Sequence, residues 1–434
     1  MNACSCGRSF GSLEARAQHR RDLTSQGRGD AHQPLESRPV LTGQRPSRPH
    51  RWLWRHVDSS SPAHSIDLAS LEASTSEVNS LSEAHLLGTY NWQLDGAIRY
   101  PGHARIWNDV PLPVEIPRDK SSSFIDQDSA LVPKYPFKSL FDATAFMQPD
   151  FRFDDVDVII NRNSLRKLLD FCGNRSSKSF RLSLLLVHNT LVVERNEKNS
   201  TMIVTGSNNT GYGHNFERVF TTPVPGLGAS TGHHRILQYK LGDLNCVVRF
   251  EVDACYPGEP SKPSNNTNPS IIPVLQMQAL SLEQGQEIGA TAEIQEEPHM
   301  PQSMTAELKT GSQSLDSCLP QLWFGRTPWF IRGRHNGGLF HDVEITNVAS
   351  QFSDWETKNQ DSLRKLVTVL SQLREGTRLH GGRNCIAIFE KGAKSKLIKV
   401  FASTRPRHVL SKTDRHKFWV GKKTNPIPPE ASLS

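Results

Sequence analysis

The sequence predicts an α+β or α/β fold, with a central mixed, mostly antiparallel sheet, flanking helices and disordered basic termini. Three observations predict it. Short apolar segments with period-two alternation recur between residues 180 and 401. Amphipathic segments of helical spacing lie among them rather than in a separate block. The pattern breaks once near the middle of the chain, in a stretch of prolines, asparagines and glutamates.

The elements follow in order. Residues 24–85 are rich in Ser, Pro, Gly, Arg and His with little periodicity, and read as a disordered linker. Order is expected from about Leu86 and to extend through residue 402. Residues 136–172 look helix-rich, with Leu165, Leu168 and Leu169 at helical spacing. Phe180, Leu182, Leu184 and Leu186 alternate, residues 190–194 are β-branched and apolar, and His188-Asn189 reads as the hairpin turn between two strands. Residues 246–256 form another strand. Residues 257–300 are an acidic loop insertion. Strand character returns at 305–310 and 329–333. Residues 362–373 read as an amphipathic helix, and 384–389 and 396–401 as two closing strands. Residues 403–434 form a basic tail. No internal repeat is visible.

Composition bounds the function. With 36% hydrophobic and 22% charged residues, the chain can bury a core while leaving disordered stretches. Residues 1–56 hold ten arginines against Glu14, Asp22, Asp30 and Glu36, and 403–434 hold seven cations against Asp414 and Glu430. The net charge of +7 therefore comes from the two ends, and the middle is net acidic. Basic tails suit phosphate backbones or simple solvation. No apolar run approaches the roughly 20 residues that span a bilayer, which excludes a transmembrane helix. The first ten residues carry no signal-type apolar stretch. Seven scattered cysteines make no disulfide framework, so a reduced compartment, cytosol or nucleus, is expected.

Two strand segments carry the chemistry. In Phe250-Glu251-Val252-Asp253, alternation sends both carboxylates to one face. In Ala306-Glu307-Leu308-Lys309-Thr310, Glu307 and Lys309 share a face and Leu308 points to the core. If the strands are neighbours, three carboxylates and a lysine converge. Carboxylates at close quarters repel, and hard oxygen ligands of this kind suit Mg²⁺ or Mn²⁺. Such a set performs metal-assisted phosphodiester hydrolysis. An acidic strand followed by E-x-K is also the pattern of the PD-(D/E)xK nuclease superfamily, although a half-exposed strand face often reads the same way.

Other segments bring in a closer resemblance. Gly211-Tyr-Gly213-His-Asn-Phe216-Glu217 resembles the G-x-x-F-E motif of the decapping exoribonuclease family. Asn161-Arg162-Asn-Ser-Leu-Arg-Lys-Leu-Leu169 resembles that family's arginine and helix start. Gln321-Leu-Trp-Phe-Gly325 and the residues after it resemble the family's glutamine with its hydrophobic, Gly-containing strand. The five pieces occur in the family's order and span most of residues 86–402. The resemblance implies a nuclease core that trims defective RNA 5′ ends, with Mg²⁺ or Mn²⁺ and no organic cofactor. It implies that Glu217, Asp253 and Glu307 ligate metal, and that Glu251 sits beside them as a ligand or through a water. Lys309 and Gln321 would position the nucleophile and the scissile phosphate, and Arg162 would contact the RNA 5′ phosphate region. A 5′–3′ exoribonuclease partner and a nuclear location are also implied. Two spacings differ from the family's. Asp253 and Glu307 are 54 positions apart, because of the insertion. Only eleven residues separate Lys309 from Gln321, so a helix is expected to be trimmed there.

Cys4-Ser-Cys6-Gly-Arg-Ser-Phe10, with Leu13 and His19, resembles a degenerate C2H2 zinc finger over residues 1–23. It implies Zn²⁺ at Cys4, Cys6 and His19, or a decayed finger, since the cysteines are C-x-C and the next histidine is His32. His233-His234 reads as loop histidines. A non-catalytic RNA- or nuclease-binding regulator on the same fold is the alternative. A third class, isoprenyl diphosphate synthesis, is suggested only by Asp154-Asp155-Val156-Asp157, whose spacing departs from D-D-x-x-D.

Overall fold

In a computed structural model, the described residues are 2–3, 9–10, 51–58, 61–120, 123–124, 126–198, 203–204, 211–258, 300–382, 384–405 and 407–420. The chain separates into two compact units, 1–48 and 49–434. In the first, Asn2–Ala3 pairs antiparallel with Ser9–Phe10. Cys4, Cys6 and His19, and with them the zinc expectation, lie outside the described residues, as does 259–299 of the acidic insertion.

Among its described residues, the second unit carries two large sheets, a two-stranded ribbon in which Ile203–Val204 pairs antiparallel with Ser123–Phe124, and seven α-helices: α1 Gln127–Leu131, α2 Lys138–Met147, α3 Arg162–Cys172, α4 Gly213–Val219, α5 Leu315–Phe324, α6 Phe352–Leu379 and α7 Lys412–Phe418. The larger sheet has ten strands in the spatial order His64–Asp67, Leu397–Ala402, Cys385–Phe389, Phe180–Val187, Thr190–Asn196, Val158–Asn161, Leu244–Val252, Ser230–Leu241, His85–Gln93, Ile98–Arg99. Val158–Asn161 runs parallel to both its neighbours, and every other pairing in this sheet is antiparallel. The expected mixed, mostly antiparallel α+β architecture is therefore present. The 180s hairpin turns at His188, which takes φ +52°. The hairpin joining Ser230–Leu241 to Leu244–Val252 turns at Gly242 with φ +58°, a left-handed conformation that a Cβ would strain.

Alternating faces of the sheet feed two cores. Leu182, Leu184, Leu191, Val193 and Val248 pack with the apolar stripes of α3, α5 and α6, including Leu165, Leu168, Trp323, Leu366 and Leu370. Leu185, Val187, Val192, Ile236 and Val247 pack with Phe141 of α2, Phe153, Phe418 and Trp419. The second sheet orders Thr221–Thr222, Ile106–Trp107, Ala254–Cys255, Thr305–Thr310, Trp329–Asn336, Leu339–Asn347 and Val114–Glu115 around a third, aromatic core.

Both boundaries of the ordered region move outwards from where composition put them. Within 24–85, His64–Asp67 is an edge strand paired with Leu397–Ala402, and Leu53 is buried against Ile386, Ile388 and Phe401. A few apolar residues at wide spacing suffice where a strand edge needs covering, and composition averages them away. Within 403–434, α7 ends in buried Phe418 and Trp419, and the Trp419 indole donates to Thr190 Oγ1 at 3.0 Å. That part of the tail is basic outside and aromatic inside. His233 and His234 lie on a central strand, not in a loop, with His233 buried and His234 half-buried. The aspartates at 154–157 precede the parallel strand: Asp157 pairs with Arg374 at 3.0 Å and accepts from Asn245 N at 2.9 Å. A two-sheet fold with this aspartate already paired cannot be the all-helical diphosphate synthase. Cys172, Cys246, Cys255, Cys318 and Cys385 are buried, and none of the five is in a disulfide. Among the described residues no helix is long and apolar enough to cross a membrane.

Candidate active site

The chain passes from one sheet to the other at a single residue. Leu244–Val252 ends the run in the first sheet, Ala254–Cys255 starts the second, and Asp253 stands between them. Ala254 and Cys255 pair antiparallel with Ala306 and Thr305, so the two acidic strands are neighbours. Asp253 Oδ2 accepts from Leu308 N at 2.9 Å, which pins the switch to the E-x-K strand. Leu308 is buried in the third core, and the opposite face carries Glu307 and Lys309.

Glu307 is the hub. Its Oε1 accepts from Lys309 Nζ and from Gln321 Nε2, and its Oε2 lies 3.4 Å from Arg162 Nη2. Lys309 also faces Asp253 at 3.7 Å. Arg162 opens α3 directly after the parallel strand, donates to the Glu251 carbonyl at 3.0 Å and lies over the Phe250 ring. Gln321 comes from α5, so the eleven-residue link does hold a helix, begun by Ser314 capping Ser317 N. The glutamine therefore stands on a helix rather than at the head of a strand. Arg166, one turn after Arg162, donates to Gln321 Oε1 at 2.6 Å. Sequence reasoning named Arg166 only as part of a segment, yet its four-residue offset from Arg162 on a helix was a usable signal.

Glu217 arrives on α4. Phe216 is fully buried against Phe220 and Phe340, with ring centroids 4.7 and 5.1 Å away, and anchors the helix. Asp119 accepts from the α4 backbone amides of His214 at 3.2 Å and Asn215 at 2.8 Å, filling the place of a missing local cap. Glu251 projects beside the cluster over Gly232. A Cβ there would stand 2.9 Å from Glu251 Oε1 and 3.0 Å from Gln127 Oε1. Gly232→Ala is therefore expected to displace the Glu251 carboxylate and to cut any site-dependent activity about tenfold with little loss of stability, because the flexible ends of two side chains move and the core does not. A paired melting curve and rate measurement checks this; an unfolded variant would count against it.

The electrostatics divide the carboxylates. Burial raises Glu217, and Asp253 and Glu251 push it further, well above the ordinary range. Glu251, open to water on one side but enclosed on the others, is pushed up to about 7 by burial and then by Asp253. Asp253 is pushed up to about 6 by burial and Glu307, despite Lys309. Burial would also raise Glu307, but Lys309 and then Arg162 reverse this and hold it down to about 2. The same pairing raises Lys309, against its own burial. Four carboxylates thus face two cations, and three of them bear their charge at a cost. That excess suits a divalent cation with oxygen ligands, so the donor set fits Mg²⁺ or Mn²⁺. Among the described residues no three His, Cys, Asp or Glu side chains are already gathered as a metal cradle, because Lys309 and Gln321 fill the space at Glu307. A cavity of about 380 Å³ opens elsewhere, lined by Leu185, Val187, Asn384, Arg407, Val409 and Arg415. Among the described residues that line it there is no carboxylate, and side-chain chemistry places the candidate site at the sheet switch instead.

Residues 61–419 match the family model described as a domain of unknown function, DUF8563. The chain belongs to this family. No curated protein matches the sequence. Among solved structures, the DUF8563 domain is similar to Scheffersomyces stipitis Rai1 in complex with (3′-NADP)⁺ and calcium ion, at 13% identity over 82% of this chain and 98% of that chain, with a TM-score of 0.54. It is similar to Candida albicans Rai1 in complex with pU5-Mn²⁺ at 14% identity, with the same coverage and TM-score. The DUF8563 domain therefore has a Rai1-like decapping exoribonuclease fold. At this identity the likeness is one of fold.

Proposed function

We propose that the protein is a divalent-metal-dependent hydrolase of RNA 5′ ends, acting in decapping, pyrophosphate release or 5′–3′ exonucleolysis. The observation that carries the reading is the convergence of Glu217, Glu251, Asp253, Glu307, Lys309 and Gln321, drawn from two sheets and two helices, at the point where the sheets exchange a strand. Nothing in packing requires three carboxylates whose charge is disfavoured. The similar Rai1 structures hold calcium ion or Mn²⁺ with a nucleotide or pU5, which supports the substrate class.

In this reading Glu217, Asp253 and Glu307 hold the metal and Glu251 lies next to it. The bound cation would supply a water of lowered pKa and neutralise the charge developing on the phosphate. Lys309, a cation under all ordinary conditions, orients the attacking water or a phosphate oxygen. Gln321 fixes the Glu307 carboxylate, and Arg162 brings a guanidinium to the phosphate side. We also place the protein in the nucleus with an exoribonuclease partner, on the basic ends and the fold.

A non-catalytic regulator is the second reading, favoured by one observation: Lys309 and Gln321 already occupy the Glu307 carboxylate. One experiment separates the two. Purified protein is incubated with 5′-triphosphate RNA and with unmethylated-cap RNA in Mn²⁺ or EDTA, beside an Asp253→Ala, Glu307→Ala double variant. Metal-dependent release of pyrophosphate or a cap dinucleotide, absent in the variant, is expected. Tight RNA binding with no release under any metal would establish the regulator.

A further inference from the structure

We propose that Arg166 is a positioning residue of the candidate site, which sets the orientation of the Gln321 amide toward Glu307. The inference rests on the reading of that cluster as a metal site. Gln321 lies between α3 and the E-x-K strand. Arg166 Nη1 donates to its Oε1 at 2.6 Å, and its Nε2 donates to Glu307 Oε1. The two ends of an amide are nearly identical in shape, so packing does not choose between them. A guanidinium has only donors and an ionised carboxylate only acceptors, so together they allow one orientation. With the amide reversed, its oxygen would face the Glu307 carboxylate and repel it.

A second observation speaks against a packing role. Arg166 is half-buried, and among the described residues no carboxylate lies within ion-pair distance of it. A guanidinium withdrawn from water and held by a neutral amide adds little stability by itself. Its position makes sense as a clamp: Arg162 reaches Glu307 directly, and Arg166, one turn later on the same helix face, reaches it through Gln321.

The test compares Arg166→Met with Arg166→Lys in the full chain. Mn²⁺ affinity is measured by calorimetry, and the Gln321 side-chain amide is followed by ¹⁵N NMR in EDTA. Met is expected to weaken Mn²⁺ binding about 10- to 100-fold, the usual cost of losing a group that orients a ligand, and to shift or double the Gln321 amide signal. Lys keeps donors at that place and should restore most of both. Met binding Mn²⁺ as tightly as wild type with an unmoved amide signal would overturn the proposal, as would equal losses in Met and Lys. If wild type itself binds no Mn²⁺, the hydrolase reading fails instead, and the amide spectra still decide the role of Arg166.

Discussion

Glu307→Gln is expected to slow hydrolysis by about 10²–10³-fold and also to destabilise the metal-free protein, a destabilisation that the same change at Glu217 or Glu251 will not cause. The Glu307 carboxylate is 2% exposed and is the shared counter-charge of Lys309 and Arg162. Its removal leaves two enclosed cations facing an amide. Breaking a buried pair from one side typically costs roughly 3–5 kcal/mol. The lower end, about 3 kcal/mol, is expected here because Asp253 still faces Lys309 at 3.7 Å. At Glu217 and Glu251 the sign reverses. Both are charged against burial and against their neighbours, so a neutral amide relieves repulsion. Urea denaturation in EDTA separates the two groups. The rate should fall by about 10²–10³-fold for each, as when one electrostatic group leaves a preorganised site. Carboxylates that all stabilise the empty protein would form an ordinary salt-bridge network, and the hydrolase reading would lose its main physical support.

How much of this was legible in the sequence depends on how local each signal is. Glu251, Asp253, Glu307 and Lys309 were legible because strand alternation fixes their faces, and the assumption that the strands are neighbours holds through Ala254 and Ala306. Glu217 could be found only through resemblance, since a single glutamate on a seven-residue helix carries no periodic signal. Resemblance puts Gln321 ahead of a hydrophobic strand, but Leu-Trp-Phe reads equally as buried strand or helix, and it lies in α5, which also contains Pro320. The strand Ser230–Leu241 escaped notice because His233, His234, Arg235 and Gln238 interrupt its apolar pattern. Those side chains sit inside because partners meet them there. His233 bonds Asn91, Arg235 bonds Gln302, and the His234 ring stacks on Tyr90 with centroids 4.8 Å apart. Such partners come from elements distant in sequence, and pattern reading cannot see them.

The division among the carboxylates also predicts an unusual pH profile for the metal-free protein. Glu307 is held down to about 2, below its ordinary value, so its stabilising contribution is present above the ordinary carboxylate range and is lost as pH falls toward 2. Glu251 and Asp253 are shifted the other way, to about 7 and about 6. For them the unfolded chain releases its protons first as pH rises, so stability falls between about pH 4, the ordinary carboxylate value, and pH 7. One cluster thus gives a rising limb at low pH and a falling limb toward neutrality. In EDTA, Glu251→Gln should match wild type near pH 4 and exceed it at pH 7.5. Mn²⁺ binds the ionised carboxylates, so its stabilising effect should grow over the same interval and flatten the falling limb. Denaturation curves across pH 3–8, with and without Mn²⁺, measure both. A wild-type–variant difference that does not change with pH would show that Glu251 is an ordinary solvated carboxylate. A profile that Mn²⁺ leaves unaltered would show that the excess negative charge at the sheet switch is not there to hold a cation.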